Sequence, residues 1–103
     1  MSVERVANIR ASEYVTERKP FRGSNLFARH IGQAYVVFSY GMHWPLYAYR
    51  DGVWYENMER YSVTTSKHRR QARPAGVETV LKNVTSMKAI YGNHGWGWAS
   101  VQS

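Results

Sequence analysis

Residues 46–57, LYAYRDGVWYEN, place Asp51-Gly52 between two runs of aromatic and β-branched residues. Strand formers on both sides of an Asp-Gly pair mark a hairpin, because a type I′ turn needs positive φ at both central residues and Asp and Gly reach that region at low cost. A two-residue loop then fixes the register. Arg50 faces Val53, Tyr49 faces Trp54, Ala48 faces Tyr55, Tyr47 faces Glu56 and Leu46 faces Asn57. Side chains alternate along a strand, so Tyr47, Tyr49 and Trp54 share one face.

Working outward, QAYVVFSY (33–40) is rich in aromatic and β-branched residues and bounded by Gly32 and Gly41, the pattern of a buried strand. On the other side, Arg60 to Ser66 can begin a further strand, while Thr64, Thr65 and Ser66 suit the cap of a short helical turn carrying Lys67 to Gln71, with Pro74 as its stop. Val77, Val80, Leu81, Val84, Met87 and Tyr91 follow at spacings of three and four, and Gly92 is placed as a C-cap, which predicts an amphipathic helix over about 76–91. The expected architecture is α+β: a small antiparallel sheet of about three to four strands packed against this one C-terminal helix. The tail NHGWGWASVQS alternates His94, Trp96 and Trp98, and adds an edge strand or lies over the core. Residues 1–32, punctuated by Pro20, Gly23 and Gly32, read as an irregular, partly ordered arm, leaving 33–103 as the single folded domain.

The chain's 103 residues suit one domain with one modest core. Fourteen Lys and Arg against seven Asp and Glu give a formal charge of +7. That balance favours nucleic acid, an anionic surface or an acidic protein as partner. With no cysteine there is no disulfide framework and no thiolate metal site, which suits a reducing compartment. The stretch MSVERVANIRASEY is neither a secretory signal nor a membrane span, so the expectation is a soluble intracellular protein.

The run from Arg60 to Arg73 contains no acid and gathers Lys67, Arg69, Arg70 and Arg73. It reads as a solvated helix face or, more sharply, as a phosphate-contact surface to which Arg60, Thr64, Thr65, Ser66 and His68 also belong. Aromatic side chains fill cores or stack on bases. Trp54, Tyr47 and Tyr49 are the stacking candidates if their face is open, and Tyr55 with the opposite set if it is covered. His43 and His68, with Tyr61, Arg69 and Ser39, are the groups a metal-independent ribonuclease would use, the plainer reading of His43 being a buried histidine bonded to backbone. No Gly-rich phosphate loop, nucleophile elbow or paired-carboxylate motif is visible. No metal site or cofactor is expected, since Glu56 and Glu59 are more simply partners of Arg60. The aromatic content also fits a homodimer made through an aromatic sheet face.

Taken together, the segments Ser-Tyr-Gly-x-His-x-Pro-Leu, Trp-Tyr-x-Asn and Tyr-Ser-x-Thr-Thr-Ser-x-His across the middle half of the chain resemble a small domain of unknown function that recurs in bacteriophage and plasmid proteins. Carried over by position, the resemblance singles out Ser39, Tyr40, Gly41, His43, Pro45, Asn57, Tyr61, Ser62, Thr64, Thr65, Ser66 and His68. It implies a phage or mobile-element protein made in a bacterial cytoplasm, and brings no established activity. Small proteins of that origin often act on host machinery by binding. Two expectations follow: a nucleic-acid or nucleoprotein binder acting through Ser39–Arg73, and an inhibitor of a host defence complex such as an anti-CRISPR. The positive charge argues against DNA mimicry, which needs an acidic surface.

Overall fold

The computed structural model describes residues 4–42, 44–59 and 63–92. It is α+β, with a mixed sheet of seven strands whose spatial order follows the chain: β1 (Glu4–Arg5), β2 (Phe21–Arg22), β3 (Leu26–Ile31), β4 (Ala34–Ser39), β5 (Pro45–Arg50), β6 (Val53–Asn57) and β7 (Thr79–Lys82). Three α-helices accompany it: α1 (Ala11–Thr16), α2 (Val63–Gln71) and α3 (Val84–Tyr91). The hairpin keeps four of the five expected pairs, the Leu46–Asn57 pair falling outside the ladder. Tyr47 pairs with Glu56, Ala48 with Tyr55, Tyr49 with Trp54 and Arg50 with Val53, and both turn residues have positive φ, Asp51 at 53° and Gly52 at 83°. All six residues of β4 are buried, the mark of a central strand covered on both faces.

The strand count and the helices depart from expectation. The period-three pattern from Val77 onward conceals a strand: β7 lies parallel to β6, with Trp54 beside Thr79 and Asn57 beside Lys82. The helix begins only after Asn83, whose side chain accepts a hydrogen bond from Ser86 N–H at 2.8 Å and so caps it. Gly92, with φ of 79°, ends it. Helix α2 is described from Val63, which places Thr64 to Ser66 within its first turn and not before it.

The N-terminal segment is not an arm at the margin of the domain. Strand β3 pairs with β4 along six residues, and Val6, Ala11, Val15, Phe21, Leu26 and Ala28 all enter the core. Helix α1 also grips the connection between α2 and β7, with Thr16 Oγ1 accepting from Ala75 N–H at 2.9 Å and Ser12 Oγ donating to the Arg73 carbonyl.

Handedness explains how the helices are shared between the faces. β1 and β2 are parallel, as are β6 and β7, and each pair is joined by a helical crossover. Both crossovers advance in the same direction along the sheet between strands of like orientation, so crossovers of one hand put α1 and α2 on one face. That first face holds Tyr35, Val37, Leu46, Tyr47 and Trp54 against Val15 and Ala72. The second, with Ala34, Val36, Phe38 and Ala48, is left to α3, which buries Met87 and Tyr91 there. Replacing Gly52 with Ala puts a Cβ into open space, so its cost is conformational. Gly52→Ala is expected to lower unfolding free energy by about 1 kcal/mol in urea titration, the penalty of an L-residue in the left-handed region; an unchanged midpoint would refute the turn assignment.

Candidate functional site

Two buried polar clusters join the sequence segments that look functional. The first is built on Glu56, which sits opposite Tyr47 and points toward α2. Its carboxylate accepts from Arg69 Nη1 at 3.1 Å, Arg73 Nη1 at 3.0 Å and Thr79 Oγ1 at 2.6 Å. Arg69 also donates from Nη2 to the Glu59 carbonyl, and Tyr47 Oη donates to the Arg69 carbonyl. One acid therefore ties β6 to α2, to the segment after it and to β7. Burial alone would raise its pKa, but the hydrogen bonds from Thr79 and Arg73 and the charges of Arg73 and Arg69 outweigh burial and hold it below 4.5. Burial, with the nearby Glu56 carboxylate, pushes the Tyr47 phenol up to about 12, so it stays a neutral donor.

The second cluster joins the Ser39 segment to the His68 segment. Ser39 Oγ and His68 Nδ1 lie 2.7 Å apart, both residues buried. Tyr40 lays its ring 5.5 Å from the imidazole and is held there by a backbone φ of 63° and a bond from its N–H to the Asn25 carbonyl. Desolvation lowers the His68 pKa below 6.5, and Lys67 adds to the effect. Nearby, Asn57 donates from Nδ2 to the Pro45 carbonyl at 2.8 Å and accepts from Glu59 N–H, pinning the start of β5 to the end of β6. Gly41, at φ of 126°, closes the turn that follows Tyr40. Ser39, Tyr40 and His68 are brought together and Asn57 pins the adjoining strands, in the geometry of latches between elements.

The remaining candidates divide. Tyr47 is 0 % exposed and Trp54 5 %, and Arg18 covers the ring of Tyr49 at 4.5 Å, so the expected stacking trio faces α1 and α2, not solvent. Tyr55, on the other face, packs half-buried beside the α3 cluster. Of the basic residues, Arg69 and Arg73 pair with Glu56, Arg69 largely buried and Arg73 still half-exposed, whereas Lys67 and Arg70 are exposed. The expected pairing of Arg60 with Glu56 and Glu59 cannot be placed, because Arg60 lies outside the described residues, as do His43, Tyr61, Ser62 and the tail with His94, Trp96 and Trp98. Glu56 takes other partners, and Glu59 accepts from Val84 N–H at 2.9 Å. Ser66 is half-buried. Among the described residues no group of three His, Cys, Asp or Glu is placed to hold a metal ion, and no helix is long and apolar enough to cross a membrane.

A surface that the sequence reading passed over lies at the β2–β3 end of the sheet. A groove of about 560 Å³ is lined by Pro20, Phe21, Arg22, Phe27, Ala28, Arg29 and His30. Arg22 sits opposite Phe27, and alternation puts Arg29 on the same face as both. Phe27 is partly exposed and stacks on Phe38 at 5.2 Å, while Arg22, Arg29 and His30 are exposed. Helix α3 packs on β4, β5 and β6 and leaves this end of the face uncovered by its main contacts. Among the described residues neither Arg22 nor Arg29 has a carboxylate at ion-pair distance. The signal was present in LFARHI (26–31), where Leu26 and Ala28 alternate with Phe27 and Arg29.

Compared with protein-family models, with curated proteins and with solved structures, the chain finds no match.

Two outcomes test the latch reading. Glu56→Gln keeps shape but strips the charge that Arg69 and Arg73 face, and is expected to cost about 3 kcal/mol of stability in urea or thermal unfolding; a loss no larger than that of an exposed substitution would contradict it. For His68, the unfolded ring takes up a proton near pH 6.5 while the folded ring resists until lower pH. The unfolded state therefore binds more protons in that window, and stability is held above pH 6.5 and lost as pH falls through the folded value. The urea midpoint should drop from about pH 7.5 to about pH 5.5, and His68→Gln should reduce that slope. A midpoint that rises on acidification would show the assigned direction to be wrong.

Proposed function

We propose that the protein binds nucleic acid, alone or within a nucleoprotein, through the basic and aromatic groove of β2 and β3. The observation that carries this reading is the grouping of Arg22 and Arg29 beside Phe27 on one face, with His30 at the groove's rim and, among the described residues, no carboxylate paired with either arginine. Guanidinium groups contact phosphate, and an aromatic ring beside them offers a platform for a base. The chain's charge of +7 supplies attraction at longer range. Lys67 and Arg70 on the outer side of α2 form a second cationic group that can add phosphate contacts. The resemblance of the middle segments to phage and plasmid proteins gives the proposal its setting, a mobile-element accessory protein in a bacterial cell. A host-directed inhibitor is the alternative in that setting.

A hydrolytic role draws little support from Ser39 and His68. Both are buried, and the histidine Nδ1 is already engaged by the serine hydroxyl, so a substrate reaches neither without rearrangement.

The test is fluorescence anisotropy with labelled single- and double-stranded DNA and RNA across a salt range, with the strands checked afterwards on a denaturing gel. Binding should weaken steeply with salt and leave the strands intact. Arg22→Ala with Arg29→Ala should lower the log–log salt slope by roughly two units, one for each lost phosphate contact. An unchanged slope removes the groove from the interface, cut strands favour the ribonuclease, and no binding at low salt favours a protein target.

A further inference from the structure

The sheet has two margins, and they are built differently. Edge strands present unpaired N–H and C=O groups, and proteins guard them with short strands, charge or proline. The β1 margin is described over only two residues, Glu4 and Arg5, and Arg5 is an exposed cation on it. Among the described residues the β7 margin is the more open: β7 has four residues, pairs on one side with β6, and places Val80 at 45 % and Leu81 at 57 % exposure on opposite faces of the sheet. Met58 and Val77 beside it are exposed too.

The backbone orientation of this edge follows from one bond. Met58 N–H donates to the Lys82 carbonyl at 2.8 Å, so Lys82 and Val80 direct their backbone groups toward β6. Thr79 and Leu81 therefore direct theirs outward.

We propose that the β7 margin pairs with the same margin of a second copy of this chain, antiparallel about a two-fold axis, so that one sheet continues across the interface. A two-fold axis perpendicular to the sheet keeps each residue on its own face, which restricts the registers to those centred on a residue opposite itself. Centred on Val80, the pairing sets valine against valine. Thr79 exchanges both outward hydrogen bonds with Leu81 of the second copy, and Glu78 falls opposite its Lys82. Centred on Leu81, the pairing would set Val80 against Lys82 and leave Glu78 without a counter-charge. The complementarity of charge and of outward donors selects the first register. This surface differs from the aromatic sheet face suggested by composition, whose rings the helices largely cover. It also lies at the opposite end of the sheet from the β2–β3 groove, so pairing leaves that groove open on both copies.

Sedimentation equilibrium from roughly 1 µM to 1 mM protein, a range spanning weak to moderate association, tests this. The intact chain should pass from its 11.9 kDa monomer to a dimer with rising concentration. Glu78→Lys sets lysine against lysine and Lys82→Glu sets glutamate against glutamate, so each alone should weaken association about ten-fold, with circular dichroism unchanged. Mixed in equal amounts the two variants regain both opposite-charge pairs, and the dimer should return. A monomer throughout the range, single variants that associate like the parent, or a mixture that stays monomeric would each overturn the proposal.

Discussion

A carboxylate can leave water only if its partners replace the hydration it gives up, and the fold is arranged to meet that condition at Glu56. Three donors from three different segments converge on it, from α2, from the connection after it and from β7. Without them, β7 would lose the Thr79 side-chain tie that supplements its backbone ladder to β6, and α2 would lose its polar anchor beside Tyr47. The β6–α2–β7 crossover is thus held by charge as well as by apolar contact. The same arrangement commits Arg69, largely buried, and the half-exposed Arg73 to Glu56, so the basic run divides between structure and solvent.

What the sequence made legible follows the range over which each signal acts. The hairpin was readable because an Asp-Gly turn is a local device whose dihedral demands few residues meet. β4 was readable because a strand buried on both faces needs apolar and aromatic residues at every position. The helix expected over 76–91 was half a strand because Val77, Val80 and Leu81 fit a helical period by coincidence, whereas pairing with β6 is a tertiary choice and the Asn83 cap lay inside the apparent pattern. The N-terminal segment was under-read for a related reason: strands of two residues and short helices carry little periodicity and acquire their structure from neighbours.

The candidate site was legible as a set and misleading as to role. Ser39, Asn57 and His68 do come together or pin adjoining strands, yet hydrogen-bonding residues at element ends are also what buried junctions require. Trp54 and Tyr47 were correctly placed on one face, but which face the crossover helices would cover depends on handedness that no local pattern displays. The groove residues Arg22, Phe27 and Arg29 escaped notice because their two segments become neighbours only through β2–β3 pairing.

The central claim is that the conspicuous middle segments hold the fold together while the β2–β3 groove meets the ligand. Titrating ¹⁵N-labelled protein with a short single-stranded oligonucleotide and following backbone amide shifts tests it most directly. The account predicts that the largest changes fall on Arg22, Phe27, Arg29 and His30, with Ser39, Asn57 and His68 nearly still. Changes concentrated on Ser39, Tyr40 and His68, with the groove silent, would contradict it.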